Sequence, residues 1–155
     1  MPGATKMRPE AGHGDCPTIR FDGCLAPDFL EVRGVLARTL TALGALALSE
    51  DQIGTVEIVL AEALNNVVQH SARARSIVLR VIATRCAILC TLADDGAPAG
   101  LPAAPASAFP EPDDLPEGGY GLALIAALAE DVRLESGAGG NVLSFRIGLA
   151  GRALH

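Results

Sequence analysis

The sequence predicts an α/β (α+β) two-layer sandwich, in which helices cover one face of a mixed, mainly antiparallel sheet. Three observations predict this fold. Apolar residues recur at helical spacing in three segments, and short runs rich in Val, Ile and Leu lie before, between and after them. The length of 155 residues suits one domain with a substantial core. Because only 3% of residues are aromatic, that core must consist mainly of aliphatic side chains.

The first half of the chain predicts one strand followed by two helices. Residues 18–23 alternate between apolar and polar types, as a half-buried strand does. A helix is predicted to begin after Pro27-Asp28 and to continue toward residue 46. Ser49, with Gln52 three residues later, matches the capping box of a second helix, which we expect to end near residues 71–75.

The second half predicts four strands and a third helix. The strands are expected over residues 76–83, 86–93, 131–135 and 141–149. Residues 98–116 contain six prolines and little periodicity. A loop of this length within a compact domain is usually a lid or a disordered excursion. The third helix is predicted to follow the glycine cluster and to end near Glu130.

Charge and composition narrow the possible functions. The net charge of −6 and the pI near 4.9 argue against nucleic-acid binding, which needs basic surface. An acidic surface favours basic protein partners, although solubility accounts for it equally well. No apolar stretch has the length that a bilayer requires, and the start of the chain lacks a signal-peptide pattern. We therefore expect a cytoplasmic protein, with a disordered leader over 1–16 and a single domain over 17–150.

The four cysteines are expected to be structural thiols. Cys16, Cys24, Cys86 and Cys90 form no CxxC pair and have no His at metal-ligand spacing. Cys86 and Cys90 fall within an apolar run, where small buried thiols are common. This pattern favours free thiols over a zinc site or a disulfide.

The segment Gly118-Gly119-Tyr120-Gly121-Leu122 is the most informative motif in the chain. Glycines allow the backbone to approach a bulky anion, and the free N–H groups at the start of a helix then point toward it. No Gly-Lys-Ser/Thr follows, which excludes a Walker-type loop. Taken alone, the cluster is also compatible with an ordinary glycine turn.

Glu62 and Asn66 form a second candidate pair on the second helix. They are four residues apart, which places both side chains on one face, one turn from each other. A carboxylate there can act as a general base, and an amide oxygen can bind Mg²⁺. The alternative is a solvated stripe on an amphipathic helix.

Asp94 and Gly96 form the third candidate motif, at the end of a predicted strand. A carboxylate at this point can accept a hydrogen bond from the 6-amino group of adenine and would repel the guanine oxygen. Gly96 would allow the ring to lie against the backbone. The alternative is an ordinary Asp-Asp-Gly turn.

Taken in order, these segments resemble the nucleotide-binding boxes of the Bergerat (GHKL) ATPase fold. They are most similar to the small bacterial anti-sigma factor serine kinases of the sporulation and general-stress type. The resemblance covers residues 17–149. The N box corresponds to 60–70, the first glycine box to 94–98, the second to 118–125 and the closing glycine-asparagine strand to 140–143.

This resemblance implies a role for each candidate residue. Glu62 would be the base that takes the proton of the substrate hydroxyl, and Asn66 would bind Mg²⁺. Asp94 would bind the adenine amine, with Gly96 beneath the ring. The phosphates would lie against the second glycine box, which comprises Gly118, Gly119, Tyr120, Gly121 and Leu122. Residues 98–117 would form the ATP lid.

The same resemblance implies a Mg-ATP-dependent serine protein kinase that regulates transcription. Its relatives phosphorylate a STAS-domain anti-sigma antagonist, sequester a sigma factor in another state, and often form homodimers. Two departures from the family pattern affect the nucleotide pocket. Pro98 stands where many relatives have a second glycine, and the Phe-Asp-Pro that often follows the first glycine box is missing.

Two other interpretations remain open at this point. The chain could be a non-catalytic nucleotide-binding module that sequesters a sigma factor or an antagonist, although a pure binder would not need Glu62. It could also be the ATP-binding half of a histidine kinase, which requires a phospho-accepting helical hairpin. His13 is the one His before the second helix, and it lies in the leader, which argues against that possibility.

Overall fold

A six-stranded sheet and three helices form two layers in the computed structural model, which describes residues 8–10, 17–71, 73–98 and 120–149. The strands are β1 (Arg8–Glu10), β2 (Thr18–Leu25), β3 (Ile77–Ala83), β4 (Ala87–Asp94), β5 (Glu130–Gly137) and β6 (Gly140–Gly148). The helices are α1 (Phe29–Leu43), α2 (Glu50–His70) and α3 (Tyr120–Leu128), with a 3-10 turn at Gly44–Leu46. The strand order is β1-β2-β3-β4-β6-β5, and all pairings among these strands are antiparallel. The predicted two-layer fold is confirmed.

Alternation along the strands directs one face of the sheet toward the helices. In β3, Leu79 and Val81 are buried whereas Arg80 and Ile82, each the next residue along, are exposed, as the period of two requires. The helix α1 contacts β2, α2 contacts β4, and α3 contacts β5. The core between the layers is largely aliphatic; its largest fully buried members include Phe21, Leu60, Leu64, Ile77, Leu79, Ile88, Leu92, Ile125 and Ile147.

The helix α1 begins where Asp28 caps its first turn. The Asp28 Oδ1 atom accepts hydrogen bonds from Leu30 N at 2.7 Å and from Glu31 N at 3.2 Å. These bonds satisfy two of the N–H groups that a helix start leaves unpaired. Val32 and Val35, three residues apart, then turn the same face toward the core.

The helix α2 starts with the capping box that the sequence predicts. Ser49 Oγ accepts from Gln52 N at 3.2 Å, and Gln52 Oε1 accepts from Ser49 N at 2.9 Å. Gln52 Nε2 also donates to Leu149 O at 2.7 Å, so the start of α2 is bonded to the chain just after β6. Within the described ranges, no helix combines the length and the apolar character that crossing a membrane requires.

Three residues of the segment expected to be a disordered leader pair with the sheet. Arg8–Glu10 forms β1, which lies antiparallel to β2 with Arg8 opposite Arg20. Backbone pairing to an open sheet edge depends on N–H and C=O groups rather than on side-chain type. The residue types of this segment therefore do little to predict the strand β1.

The thiols differ from one another in a way that the sequence did not predict. Burial of Cys90 is confirmed, and desolvation raises the pKa of its thiol to about 12. The expectation of burial is wrong for Cys86, because the strand begins at Ala87 and Cys86 lies exposed in the preceding turn. Cys24 and Cys86 are both exposed free thiols, and Cys16 lies outside the described residues.

Candidate functional site

The start of α3 lies against the middle of α2. A Cβ atom placed on Gly121 would lie 3.1 Å from Glu62 Oε2 and 3.9 Å from Asn66 Oδ1. Both predicted side chains of α2 therefore direct an oxygen at the first turn of α3. A side chain at position 121 would crowd the Glu62 carboxylate, which would have to move by a few tenths of an ångström. The structure thus brings three of the sequence-predicted site residues together.

Glu62 and Asn66 are half-buried, beside the buried side chains of Ala63 and Val67. In the part of the chain that the structure describes, neither side chain forms a hydrogen bond. Half-buried oxygens without a protein donor retain lone pairs for a proton or a cation. This arrangement differs from the solvated stripe that was the alternative interpretation of the pair.

The first turn of α3 adds positive character to this place. The first N–H groups of a helix have no intrahelical partner, and the helix dipole favours negative charge near them. Gly121 and Leu122 lie in that turn, after Tyr120 as the first helical residue. The predicted cofactor-binding residues Gly118 and Gly119 lie outside the described residues, as does the predicted lid over 98–117 apart from Pro98.

Asp94, the last residue of β4, receives three hydrogen bonds on one oxygen. Its Oδ1 atom accepts from Gly96 N at 2.9 Å and from Asn141 Nδ2 at 3.0 Å. Ser71 Oγ, just after α2, donates the third at 2.5 Å. Bonds to an ionised acceptor are stronger than neutral ones, so this carboxylate is held firmly. The predicted residues Asp94 and Gly96 therefore lie together in one bonded turn.

A close approach of β6 to β4 makes this turn possible. Asp94 is paired with Asn141 in the sheet, and Gly140 adopts φ = 122° just before it. A Cβ atom on Gly140 would lie 1.9 Å from the Asp94 carbonyl oxygen. Only glycine fits at this position, because both the space and the backbone conformation exclude a side chain.

Asp95, the next residue, has a structural role. Its Oδ1 atom accepts from Arg75 N at 2.7 Å and from Ser76 N at 3.0 Å. These backbone donors lower the pKa of the Asp95 carboxyl below its usual value. The local turn bond of Asp-Asp-Gly is therefore the one from Gly96 N to Asp94 Oδ1, whereas Asp95 connects this turn to the residues just before β3.

Sequence reasoning missed two residues of this site. The sequence analysis included Asn141 only as part of a segment that resembles a closing glycine-asparagine strand. It gave Ser71 no functional role. A sequence signal existed for Asn141, since Asn is disfavoured within a predicted strand. The structure leaves this residue 5% exposed, which requires bonded partners. Ser71 shows no such signal, because a serine after a helix is commonplace.

The helix α2 connects the two groups of residues. At a rise of 1.5 Å per residue, Ser71 lies about 8 Å beyond Asn66 and about 14 Å beyond Glu62 along the axis. An extended molecule could therefore have one end at Asp94 and the other at the start of α3. His70, one residue earlier than Ser71, is exposed.

Among the solved structures that resemble this chain are two bacterial proteins. One contains the RsbU and RsbW domains of Rv1364c from Mycobacterium tuberculosis, with 18% identity, a TM-score of 0.57, and coverage of 83% of this chain. This chain spans 32% of that solved chain. The other is the blue-light activated histidine kinase EL346 of Erythrobacter litoralis, with 20% identity, a TM-score of 0.48, and coverage of 77% of this chain and 42% of that one. No curated protein matches the sequence significantly.

The sequence also matches a family model. The model describes a histidine kinase-like ATPase domain and matches residues 26–147, a range that contains Glu62, Asn66, Asp94 and Gly121. That range takes in most of the chain and both groups of site residues. The chain therefore belongs to the histidine kinase-like ATPase domain family.

Proposed function

We propose that the chain is a Mg-ATP-dependent serine protein kinase that acts as an anti-sigma factor in a partner-switching system. One observation carries the catalytic part of this proposal. Glu62 Oε2 and Asn66 Oδ1 both face Gly121 at the start of α3, and the described structure supplies neither with a hydrogen-bond donor. ATP binding itself follows from membership of an ATPase domain family.

Glu62 is the base in this proposal. Its carboxylate takes the proton of the substrate serine hydroxyl as the serine oxygen bonds to the terminal phosphorus, and ADP leaves. General-base assistance of this kind contributes about 10²- to 10⁴-fold to a rate. The N–H groups at the start of α3 complement the negative charge of the phosphate oxygens, which is the main requirement of phosphoryl transfer.

Asn66 fits a magnesium ion by the chemistry of its donor. Mg²⁺ takes hard oxygen ligands and usually combines one or two protein ligands with phosphate oxygens and water. The Asn66 amide oxygen, facing the start of α3, is such a ligand. When bound, the ion would neutralise charge on the phosphates.

The partners in this proposal follow from the resemblance of the motifs. We propose a STAS-domain anti-sigma antagonist as the phosphorylated protein, a sigma factor as the protein sequestered, a homodimer as the working form, and the cytoplasm as its location. The fold shared with the solved structure containing an RsbW domain agrees with this assignment. The net charge of −6 also suits a basic protein partner better than nucleic acid.

The test is a phosphorylation assay with Mg-ATP and a STAS-domain protein encoded in the same genome. We expect phosphoserine on the STAS protein, detected by mass spectrometry. Glu62→Gln keeps the size of the side chain and removes its basicity, so the rate should fall about 100-fold or more. ATP affinity should stay within about threefold, since the amide still fits the same space.

Glu57→Gln is the matched control, because Glu57 lies exposed on the same helix. Its rate should equal that of the unmodified protein. Full activity of Glu62→Gln would contradict the base assignment. If the unmodified protein binds ATP and the STAS protein yet forms no phosphoserine, the non-catalytic binding module becomes the better description.

A further inference from the structure

Asn141 is a buried polar residue whose bonds lead away from its own strand. Within the described ranges, the buried polar residues are Thr39 and Asn141. Thr39 Oγ1 donates to Val35 O of its own helix at 2.8 Å, a local bond. Asn141 instead bonds to groups on β4, on the turn after β4, and on β5. Burying an amide is unfavourable unless it is hydrogen-bonded, and these bonds satisfy it.

The amide of Asn141 can have only one orientation. Its Nδ2 atom donates to Asp94 Oδ1 at 3.0 Å and to Ala97 O at 2.9 Å. Its Oδ1 atom accepts from Ser136 Oγ at 2.6 Å. A flipped amide would direct an oxygen at the Asp94 carboxylate and at a carbonyl, which would be repulsive. Asn141 therefore acts as a donor to both.

These bonds make the two oxygens of Asp94 unequal. Oδ1 accepts from Asn141, Ser71 and Gly96, which occupies it fully. Among the residues that the structure describes, none donates to Oδ2. A carboxylate held in this way presents a single oxygen, in a fixed direction, to a ligand.

The bond to Ala97 extends the effect to the neighbouring backbone. Gly96 and Ala97 form the turn that the adenine ring would lie against, and Asn141 bonds to this turn through Ala97 O. Asn141 thus bonds both to the carboxylate, which Ser71 and Gly96 also hold, and to the backbone surface beside it. Asn141 is the one described residue that bonds to both Asp94 Oδ1 and Ala97 O.

We infer that Asn141 is the positioning residue for purine selectivity: it directs Asp94 Oδ2 and the turn after β4 toward the exocyclic amine of adenine. This inference rests on the proposed function, in that the site must bind ATP. Asn141 acts through Asp94 in this role and sets the preference for a purine that bears an amine over one that lacks it.

The test compares ATP with purine riboside 5′-triphosphate, which lacks the 6-amino group, by calorimetric titration with Mg²⁺ present. The unmodified protein should bind ATP about 10- to 100-fold more tightly than it binds the analogue, since that range corresponds to one hydrogen bond to a charged group. In Asn141→Ala the ratio should fall below about threefold, through loss of ATP affinity rather than gain of analogue affinity. Ser144→Ala, on the same strand with its side chain on the opposite face, is the control and should keep the original ratio.

The selectivity ratio distinguishes positioning from a merely structural role. An equal loss of affinity for both nucleotides in Asn141→Ala would overturn the inference, and so would an unchanged ratio.

Asn141→Ser is the second variant, to be used if the alanine variant does not fold. The serine hydroxyl is too short to bond to Asp94 and Ala97 at the same time. The same narrowed ratio is then expected. Failure of the unmodified protein to bind ATP would overturn the proposed function, whereas normal ATP binding with an unchanged variant ratio overturns this inference alone.

Discussion

The two ends of the candidate site hold their polar side chains in opposite ways. At the end of β4, which we call the base end, Asp94 Oδ1 accepts three hydrogen bonds from protein groups. At the start of α3, which we call the phosphate end, Glu62 and Asn66 form no hydrogen bond with the described residues. The base end is thus bonded before any ligand arrives, and the phosphate end is not.

This difference matches what each end would have to do. A purine base is rigid and flat, so a carboxylate that is already held in place can bind it at low entropic cost. A metal-bound phosphate group changes its bonding during transfer, and side chains already bonded to protein would have to release their partners first. Leaving Glu62 and Asn66 without protein hydrogen bonds lowers the stability of the fold. Functional sites often carry such a cost. Changes at the base end should therefore alter stability, and changes at the phosphate end should alter binding and activity.

The largest effect on stability is expected from Gly140→Ala at the base end. The added methyl group would overlap the Asp94 carbonyl oxygen, and φ = 122° is unfavourable for any side chain. We expect a loss of about 3 kcal/mol in the free energy of unfolding. Urea denaturation followed by circular dichroism measures it.

Gly139→Ala is the matched control for that change. Gly139 lies in the same turn, and a Cβ atom placed there has nothing within 4 Å. Its free energy of unfolding should stay within about 0.5 kcal/mol of the original. Equal stability of the two variants would mean that β6 does not approach β4 as closely as described.

An intermediate effect, on binding alone, is expected from Asn66→Ala at the phosphate end. No protein hydrogen bond within the described ranges is lost and alanine favours helices, so stability should be unchanged within about 0.5 kcal/mol. The Mg²⁺-dependent part of ATP affinity should fall about 10-fold or more, as changes near metal ligands commonly do. Titration with ATP in Mg²⁺ and in EDTA measures this part.

The neighbouring Asn65→Ala provides the comparison, since Asn65 is also a half-buried amide on α2. It should retain the response to Mg²⁺. A large loss of stability in Asn66→Ala would show that the phosphate end is as firmly bonded as the base end, and the contrast between the two ends would disappear.

The smallest effect is expected from Asp95→Asn, beside the base end. The backbone donors lower the pKa of Asp95 from 3.8 in the folded protein, so its contribution to stability is complete above that pH. As the pH falls through the lowered value, the contribution is lost. The melting temperature of Asp95→Asn should therefore lie slightly below the original at pH 7 and match it in strong acid.

Glu135→Gln on β5 is the control for this comparison, because Glu135 is an exposed carboxylate on an edge strand of the sheet. The difference in melting temperature between Glu135→Gln and the original protein should not shrink as the pH falls. A constant difference between Asp95→Asn and the original protein from pH 7 to strong acid would contradict the role of Asp95 as an ionised acceptor.

Local patterns in the sequence were sufficient for α2 and for the Glu62–Asn66 pair. The capping box of Ser49 and Gln52 sets the start of the helix, and a separation of four residues puts two side chains on one face. Both depend on neighbours within one turn. The strand predictions also succeeded, apart from their ends, since alternating burial is a property of each strand alone.

The tertiary structure alone decided which distant groups meet. Gly121 lies against Glu62, and Asp94 bonds to Ser71 and to Asn141. Each contact joins residues far apart in sequence, and it depends on the register of β4 and β6 and on how α3 packs against α2. The exposure of Cys86 followed in the same way from where β4 begins. Sequence periodicity determines the face of an element on which a side chain lies, but packing determines which side chain lies opposite.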